Sequence, residues 1–238
     1  MSNITYEYIR RNKDIQTYIN SADAALSTIG FTEHSNAHVE RAADAAFMIL
    51  KTLGYDDRTC ELAQIAAYMH DIGNVINRID HAQSGAVMAF RLLDNLGMPA
   101  DEIALIVSAI GNHDEHTAAP VTPIAAALII ADKSDVRRSR VRAGKREGFR
   151  EPALPSGGPT PEQLANDIHD RVNYAVERSE LYFSEDKTEL VLDLTIDLKI
   201  SPVMEYFEIF LDRMTLCRSA AKSLGVSFGL MINNAKVL

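Results

Sequence analysis

Residues 66–74 read Ala66-Ala67-Tyr68-Met69-His70-Asp71-Ile72-Gly73-Asn74, a histidine and an aspartate side by side at the end of an apolar helical run, with a glycine two residues on. A carboxylate buried without a partner is strongly unfavourable. A divalent cation would compensate both side chains, because it binds a neutral imidazole and a carboxylate directly. The same residues also fit an ordinary helix C-terminus, with His70 on the helix dipole and Asp71 solvated. The rest of the chain bears on which reading holds.

On either side of this stretch the apolar residues recur with helical spacing. Val39, Ala42, Ala43, Ala46, Phe47, Ile49, Leu50 and Leu53 predict a helix over Asn36–Leu53 that Gly54 stops. Asp56 or Asp57 caps the helix that delivers His70 and Asp71. Further helices are expected over His81–Leu96, from Pro99 or Asp101 to Gly111, and over Ile124–Val136, which carries Asp132 behind Ala125-Ala126-Ala127-Leu128-Ile129-Ile130-Ala131. Residues 1–30 read as one or two helices. Ala143–Pro161, rich in proline and glycine, predicts a long loop, and Glu162–Val172 a helix.

The period then changes from helical to alternating. Leu190, Leu192, Leu194 and Ile196 predict a strand, with Tyr174–Phe183 as its hairpin partner across Ser184-Glu185-Asp186-Lys187. Pro202–Leu224 reads as a helix and Val226–Ile232 as a last strand. The expected fold is mainly α, a helical bundle with a small C-terminal α/β appendage of antiparallel strands plus one helix. Three segments follow: a helical metal-binding domain over 1–142, a loop or lid over 143–161, and the appendage over 162–238.

Of the 238 residues, 47% are hydrophobic and 24% charged, which is ordinary for a soluble globular chain. No apolar run approaches the ~18 residues of a membrane span, and the amphipathic N-terminus does not read as a signal peptide. Cys60 and Cys217 lie far apart beside hydrophobic residues and read as reduced core positions, so a cytoplasmic location is expected. A net charge of −9 argues against extended nucleic acid and anionic membranes as partners. Against that background, residues 133–150 hold eight Lys/Arg and two acids, a local excess that suits a small polyanion.

All seven histidines fall between positions 34 and 169. His34 and His38 are four apart, which on one helix puts both on the same face. Asp132 is a second carboxylate delivered by a buried helix and needs the same compensation as Asp71. The order His38, His70-Asp71, Asp132, each on an apolar helix, resembles the HD-domain metal-dependent phosphohydrolases over about residues 31–142. That resemblance implies an HD-type helical bundle with His38, His70, Asp71 and Asp132 as ligands of one divalent metal. His81-Ala82-Gln83-Ser84-Gly85-Ala86, His113-Asp114-Glu115 and Asp132-Lys133-Ser134-Asp135 are similar to motifs of the multi-metal branch that includes the cyclic-dinucleotide phosphodiesterases. The branch implies that Asp71 bridges two metals, that His81 and His113 hold the second, and that His34 and Asp114 belong to a third site. The chain departs from the branch in lacking a Gly-Tyr-Pro element and in the short interval from Asp71 to His81, so cyclic-dinucleotide cleavage is not implied.

Imidazole and carboxylate together suit Fe, Mn, Zn, Ni or Co, one or two ions per chain. Two such ions about 3.5–4 Å apart can activate a water and stabilise a phosphoryl oxygen. Asp71 and Lys133 are the expected catalytic residues. On a continuous helix Lys133, Arg137 and Arg140 would share a face and hold the substrate phosphate. His169 reads as a helix-surface residue. The expected activity is hydrolysis of a phosphoester or phosphoanhydride in a small nucleotide-like substrate, in a protein that could form a homodimer. The alternatives from other classes are a non-catalytic sensor of a phosphorylated ligand and a di-iron oxygenase on the same fold.

Overall fold

The computed structural model describes residues 4–146 and 167–238. The expected loop or lid over 143–161 and the start of the expected helix at Glu162 therefore lie largely outside the described residues.

The helices are α1 (Tyr6–Arg11), α2 (Lys13–Thr28), α3 (Asn36–Thr52), α4 (Asp57–Met69), α5 (His81–Asn95), α6 (Ala100–Gly111), α7 (Pro123–Lys133), the short α8 (Ala143–Arg146), α9 (Ile168–Ala175) and α10 (Val203–Ser223). Two 3-10 turns, Ile72–Val75 and Arg138–Arg140, complete the helical structure among the described residues. Starts are fixed by side-chain caps: Ser35 accepts from Ala37 N, Asp56 from Thr59 N, and Thr122 from Ala125 N with Pro123 in the first turn.

Helix α7 is the centre of the bundle. Every residue from Ile124 to Lys133 is buried, because α3, α4, α6 and α10 all pack on it. That explains its unbroken apolar run, since a helix enclosed on all sides has no polar face. Its last buried residues, Asp132 and Lys133, are thus carried into the interior.

The helix ends there. Ser134 is its C-cap, and Arg137 is extended at φ −163, ψ 151. The expectation of a helix to Val136 is corrected, and with it the shared face of Lys133, Arg137 and Arg140. The bend brings the Asp135 and Arg140 side chains back against the bundle, where both are buried.

The mainly α class with a small C-terminal sheet is as read from the sequence. The sheet order is β1 (Val176–Phe183), β2 (Glu189–Ile196), β3 (Ser227–Ile232), β4 (Ala235–Lys236). β1 and β2 form the expected antiparallel hairpin, with Phe183 opposite Leu190. β2 and β3 are parallel, with Leu190 opposite Phe228 and Leu192 opposite Leu230, which corrects the expectation of antiparallel strands throughout. The reason lies in α10: it intervenes as a crossover connection, and a crossover of this length returns the chain in the same direction. Phe210, Met214, Cys217, Ala220 and Ala221 of α10 are buried in the same core as the bundle. Cys60 and Cys217 are free and buried. No helix among the described residues is long and apolar enough to cross a membrane.

Gly73 sets how closely the turn after His70-Asp71 approaches α5. A Cβ there would overlap the carbonyl oxygen of His81 and stand 2.5 Å from Gly85 N, both backbone atoms that cannot swing away. Gly73→Ala is expected to destabilise the protein by about 3 kcal/mol or more, measured as a fall in the urea midpoint. An unchanged midpoint would show that the turn and α5 can separate freely.

Candidate functional site

Four histidines on four different elements bring their rings together. His38 sits in the first turn of α3, His70 at the C-terminus of α4, His81 at the start of α5 and His113 just beyond α6. Neighbouring ring centroids are 5.2 Å apart for His38 and His70, 4.9 Å for His70 and His113, and 5.1 Å for His81 and His113. All four are buried.

Their tautomers follow from their partners. The Nδ1–H of His70 donates to Ala67 O at 2.7 Å, that of His81 to Arg78 O at 3.0 Å, and that of His113 to Ile110 O at 2.6 Å. A carbonyl can only accept, so each Nδ1 carries a proton and each Nε2 is left to face the centre. His38 does the same with a carboxylate, its Nδ1–H donating to Asp135 Oδ2 at 2.7 Å. Backing of this kind fixes the ring orientation of metal-binding histidines.

Three of the inward atoms have no hydrogen-bond partner among the described residues, and a further pair is set nitrogen to nitrogen. Nε2 of His81 and Nε2 of His113 face each other at 3.3 Å, two lone pairs that repel without a proton or cation between them. His38 Nε2, His70 Nε2 and Asp71 Oδ2 are buried and make no hydrogen bond among the described residues. Asp132 Oδ1 lies 3.3 Å from His38 Nε2 and 3.6 Å from His70 Nε2. Asp71 Oδ2 lies 3.2 Å from His70 Nε2, while its Oδ1 reaches His81 Nε2 at 3.5 Å and accepts from Asn74 Nδ2 at 2.8 Å. Three overlapping groups meet the spacing of a metal site: His38, His70 and Asp71; His70, His113 and Asp132; Asp71, His81 and His113. A borderline transition metal fits this donor set of nitrogen and carboxylate oxygen.

The electrostatics carry the same signature. Burial opposes charge on His70, yet Asp71 and Asp132 outweigh it and push its pKa up to about 10. Burial would raise the two carboxylates, but the surrounding cations hold both well below the usual range: His70 acts on Asp71, and Lys133 followed by His70 on Asp132. Burial, with cationic His70 and Lys133 nearby, lowers His113 to about 3. In the metal-free cluster one imidazolium thus stands where a cation belongs. A metal must displace that proton, so its apparent affinity is expected to rise about tenfold per pH unit between pH 7 and 9. Calorimetric titrations at several pH values read this directly, and a flat profile would mean that His70 binds no proton in the metal-free state.

Asp135 is the hub behind the cluster. Besides His38 it accepts from Arg137 Nε at 2.8 Å and faces Arg41 Nε at 3.4 Å and Arg140 Nη1 at 3.8 Å. Asp135→Asn would weaken the orientation of His38, and metal affinity is expected to fall about 10–100-fold, checked by competition with a chelating dye.

A cavity of about 280 Å³ opens on this cluster, lined by Asp71, His81, His113 and Asp132 together with His34, Arg78, Lys133, Arg140 and Arg213. Lys133 and Arg140 reach it as expected from the sequence. Arg137 does not line it, for its guanidinium turns to Asp135 and Ser139. His34 precedes α3 and does not share a helical face with His38; it reaches the cavity from the preceding loop, its Nδ1–H donating to Thr32 O at 2.8 Å. Asp114 lies 3.9 Å from His81 Nε2 and is not among the residues that line the cavity. His169 is exposed on α9, as a helix-surface residue should be, and it also lines the cavity.

Two residues of the site, Arg78 and Arg213, had no sequence signal of their own, and Glu115 had one only as the end of the His113-Asp114-Glu115 motif. Glu115 joins Lys133 Nζ at 3.2 Å to Arg213 Nε at 2.6 Å, and Lys133 Nζ reaches Asp132 Oδ2 at 2.7 Å. Burial works against the Lys133 ammonium, but Asp132 and Glu115 keep its pKa above the ordinary value. Arg213 comes from α10, so the C-terminal region completes the wall. Arg78 contacts Asn74 Oδ1 and His81 Nε2, each at 3.3 Å, and has no carboxylate in ion-pair contact among the described residues.

The helix ends of the bundle thus converge four imidazoles and two carboxylates, a donor set that could hold a metal ion. Residues 37–137 match the family model of the HD domain. The chain is similar to an uncharacterized protein of Methanocaldococcus jannaschii, 24% identical over 159 residues that cover 58% of this chain and 61% of that protein. The crystal structure of a predicted HD superfamily hydrolase from an uncultured Thermotogales bacterium is also similar, with 26% identity and a TM-score of 0.42 over 55% of this chain and 73% of that one.

Proposed function

We propose that the protein is a metal-dependent phosphohydrolase acting on a phosphoester or phosphoanhydride of a small nucleotide-like substrate. The observation that carries this reading is the convergence of unsatisfied imidazole and carboxylate atoms on the floor of a cavity lined by cations. His38, His70, Asp71 and Asp132 would hold one divalent ion, and His81 and His113 with Asp71 a second. Such an ion supplies Lewis acidity and makes water a competent nucleophile near neutral pH.

The chain's own groups then have distinct tasks. Lys133 has Asp132 and Glu115 within ion-pair distance, Arg213 has Glu115 and Arg140 shares Asp135, whereas Arg78 has no carboxylate in ion-pair contact among the described residues. Arg78 is therefore the cation with charge to spare for a phosphoryl group, which a guanidinium grips through paired hydrogen bonds. Lys133 holds Asp132 and Glu115 in place and adds positive potential at the floor. It stays protonated and so does not act as a base. Asp71 orients the metal-binding groups on both sides and can accept the nucleophile's proton. The cation-lined wall favours an anionic substrate over the carbon substrate of an oxygenase.

Elemental analysis of untagged protein, followed by a phosphoester and nucleotide panel with Mn and Fe, tests the reading. Turnover that a chelator abolishes and the metal restores is the expected result. A fully loaded protein that hydrolyses none of the panel would favour the sensor alternative.

A further inference from the structure

The stretch Ile29-Gly30-Phe31-Thr32 closes α2 and forms one wall of the cavity. Gly30, at φ +87, takes the left-handed conformation, and Phe31 N donates back to Leu26 O at 3.0 Å. In such a helix-ending turn the residue after the glycine ordinarily packs back on its own helix. Phe31 instead is 40% exposed and Ile29 59% exposed, and both line the cavity.

The turn is braced from behind. Lys145 Nζ donates to Gly30 O at 3.0 Å, Arg142 Nε to Phe31 O at 2.8 Å and Arg142 Nη2 to Thr32 O at 3.2 Å. Arg142 also pairs with Asp23 at 2.8 Å, which ties the brace to α2. Part of the basic run thus serves the scaffold, holding two large apolar side chains at the cavity wall on a fixed backbone. Preorganisation of this kind is what a binding site needs from its supporting residues. Arg78 connects the two ends of the cavity: its guanidinium lies 5.5 Å from the Phe31 ring centroid and also reaches His81. One end is apolar and aromatic, the other cationic and metal-binding, the usual division of a small-molecule site.

We propose that Ile29 and Phe31 form an aryl subsite that takes the planar apolar group of a phosphate ester whose phosphoryl end lies at the His/Asp cluster. The inference rests on the phosphohydrolase reading and names its substrate class. The planar group stacks on the open part of the Phe31 ring while Arg78 serves both the ring and the phosphate.

The test compares 1-naphthyl phosphate with ethyl phosphate on the metal-loaded full chain, by calorimetric binding and by KM and kcat. The wild type is expected to prefer the aryl ester. Phe31→Ala should cut the aryl-to-alkyl affinity ratio about 5–100-fold, the worth of one stacked ring, and Phe31→Tyr should restore it. Equal affinity for both esters in the wild type would overturn the subsite and leave the phosphohydrolase reading standing. So would a Phe31→Ala protein that weakens both esters by one factor. Failure to bind or cleave either ester by a protein that turns over members of the nucleotide panel would overturn the subsite alone, and failure on that panel as well would remove both readings.

Discussion

Asp71→Ala is expected to lose bound metal and to lower kcat/KM by about a thousandfold or more. Its carboxylate reaches three of the four histidines. One carboxylate oxygen lies 3.2 Å from His70 Nε2 and 3.7 Å from His38 Nε2, and the other lies 3.5 Å from His81 Nε2. Alanine removes the acceptor common to the two halves, and it also removes one of the two carboxylates that hold His70 protonated. The result is four buried imidazoles with Asp132 as the remaining carboxylate of the metal-spaced groups. Elemental analysis and turnover are to be measured on the same preparation, together with far-UV circular dichroism to establish that the bundle is intact. A folded Asp71→Ala protein that keeps metal and more than a tenth of wild-type turnover would contradict the assignment.

The second large effect separates one half of the cluster from the other. His81→Ala leaves His38, His70, Asp71 and Asp132 untouched and removes the nitrogen that faces His113 at 3.3 Å. Metal content is expected to drop from two ions per chain to one, with turnover reduced about 100-fold. His81 is the first residue of α5 and the alanine side chain fits there, so the fold should persist. Unchanged metal content would mean that His81 is not a ligand. Loss of all metal would mean that the two halves load only together.

The helical elements that carry the site were legible because each obeys a local rule. Apolar residues at helical spacing marked α3 to α7, cap residues marked the starts of α3, α4 and α7, and the end of an apolar run marked His70, Asp71 and Asp132, whereas His38, His81 and His113 were marked only by the family resemblance. The strand hairpin was legible from its alternation. Direction within the sheet was not. The parallel pairing of β2 with β3 depends on α10 crossing between them, and alternation is the same whichever way a strand runs.

The basic run shows the limit most clearly. As a string, Lys133 to Arg146 reads as one patch of positive charge. In the folded chain Lys133 is spent on Asp132 and Glu115, Arg137 on Asp135, and Arg142 and Lys145 on the carbonyls of the Gly30 turn. The end of α7 at Lys133 decides this, since the change of direction there separates side chains that a continued helix would have aligned. Meanwhile Arg78 and Arg213, isolated in sequence, line the cavity.

The sequence by itself determined which side chains need a cation, because burying imidazole and carboxylate at the ends of apolar helices is a local statement of chemistry and period. Only the tertiary structure decided which charges remain for a ligand. Charge is neutralised by proximity in space, and the partners that neutralise it here can come from elements about a hundred residues away, as with Glu115 and Arg213.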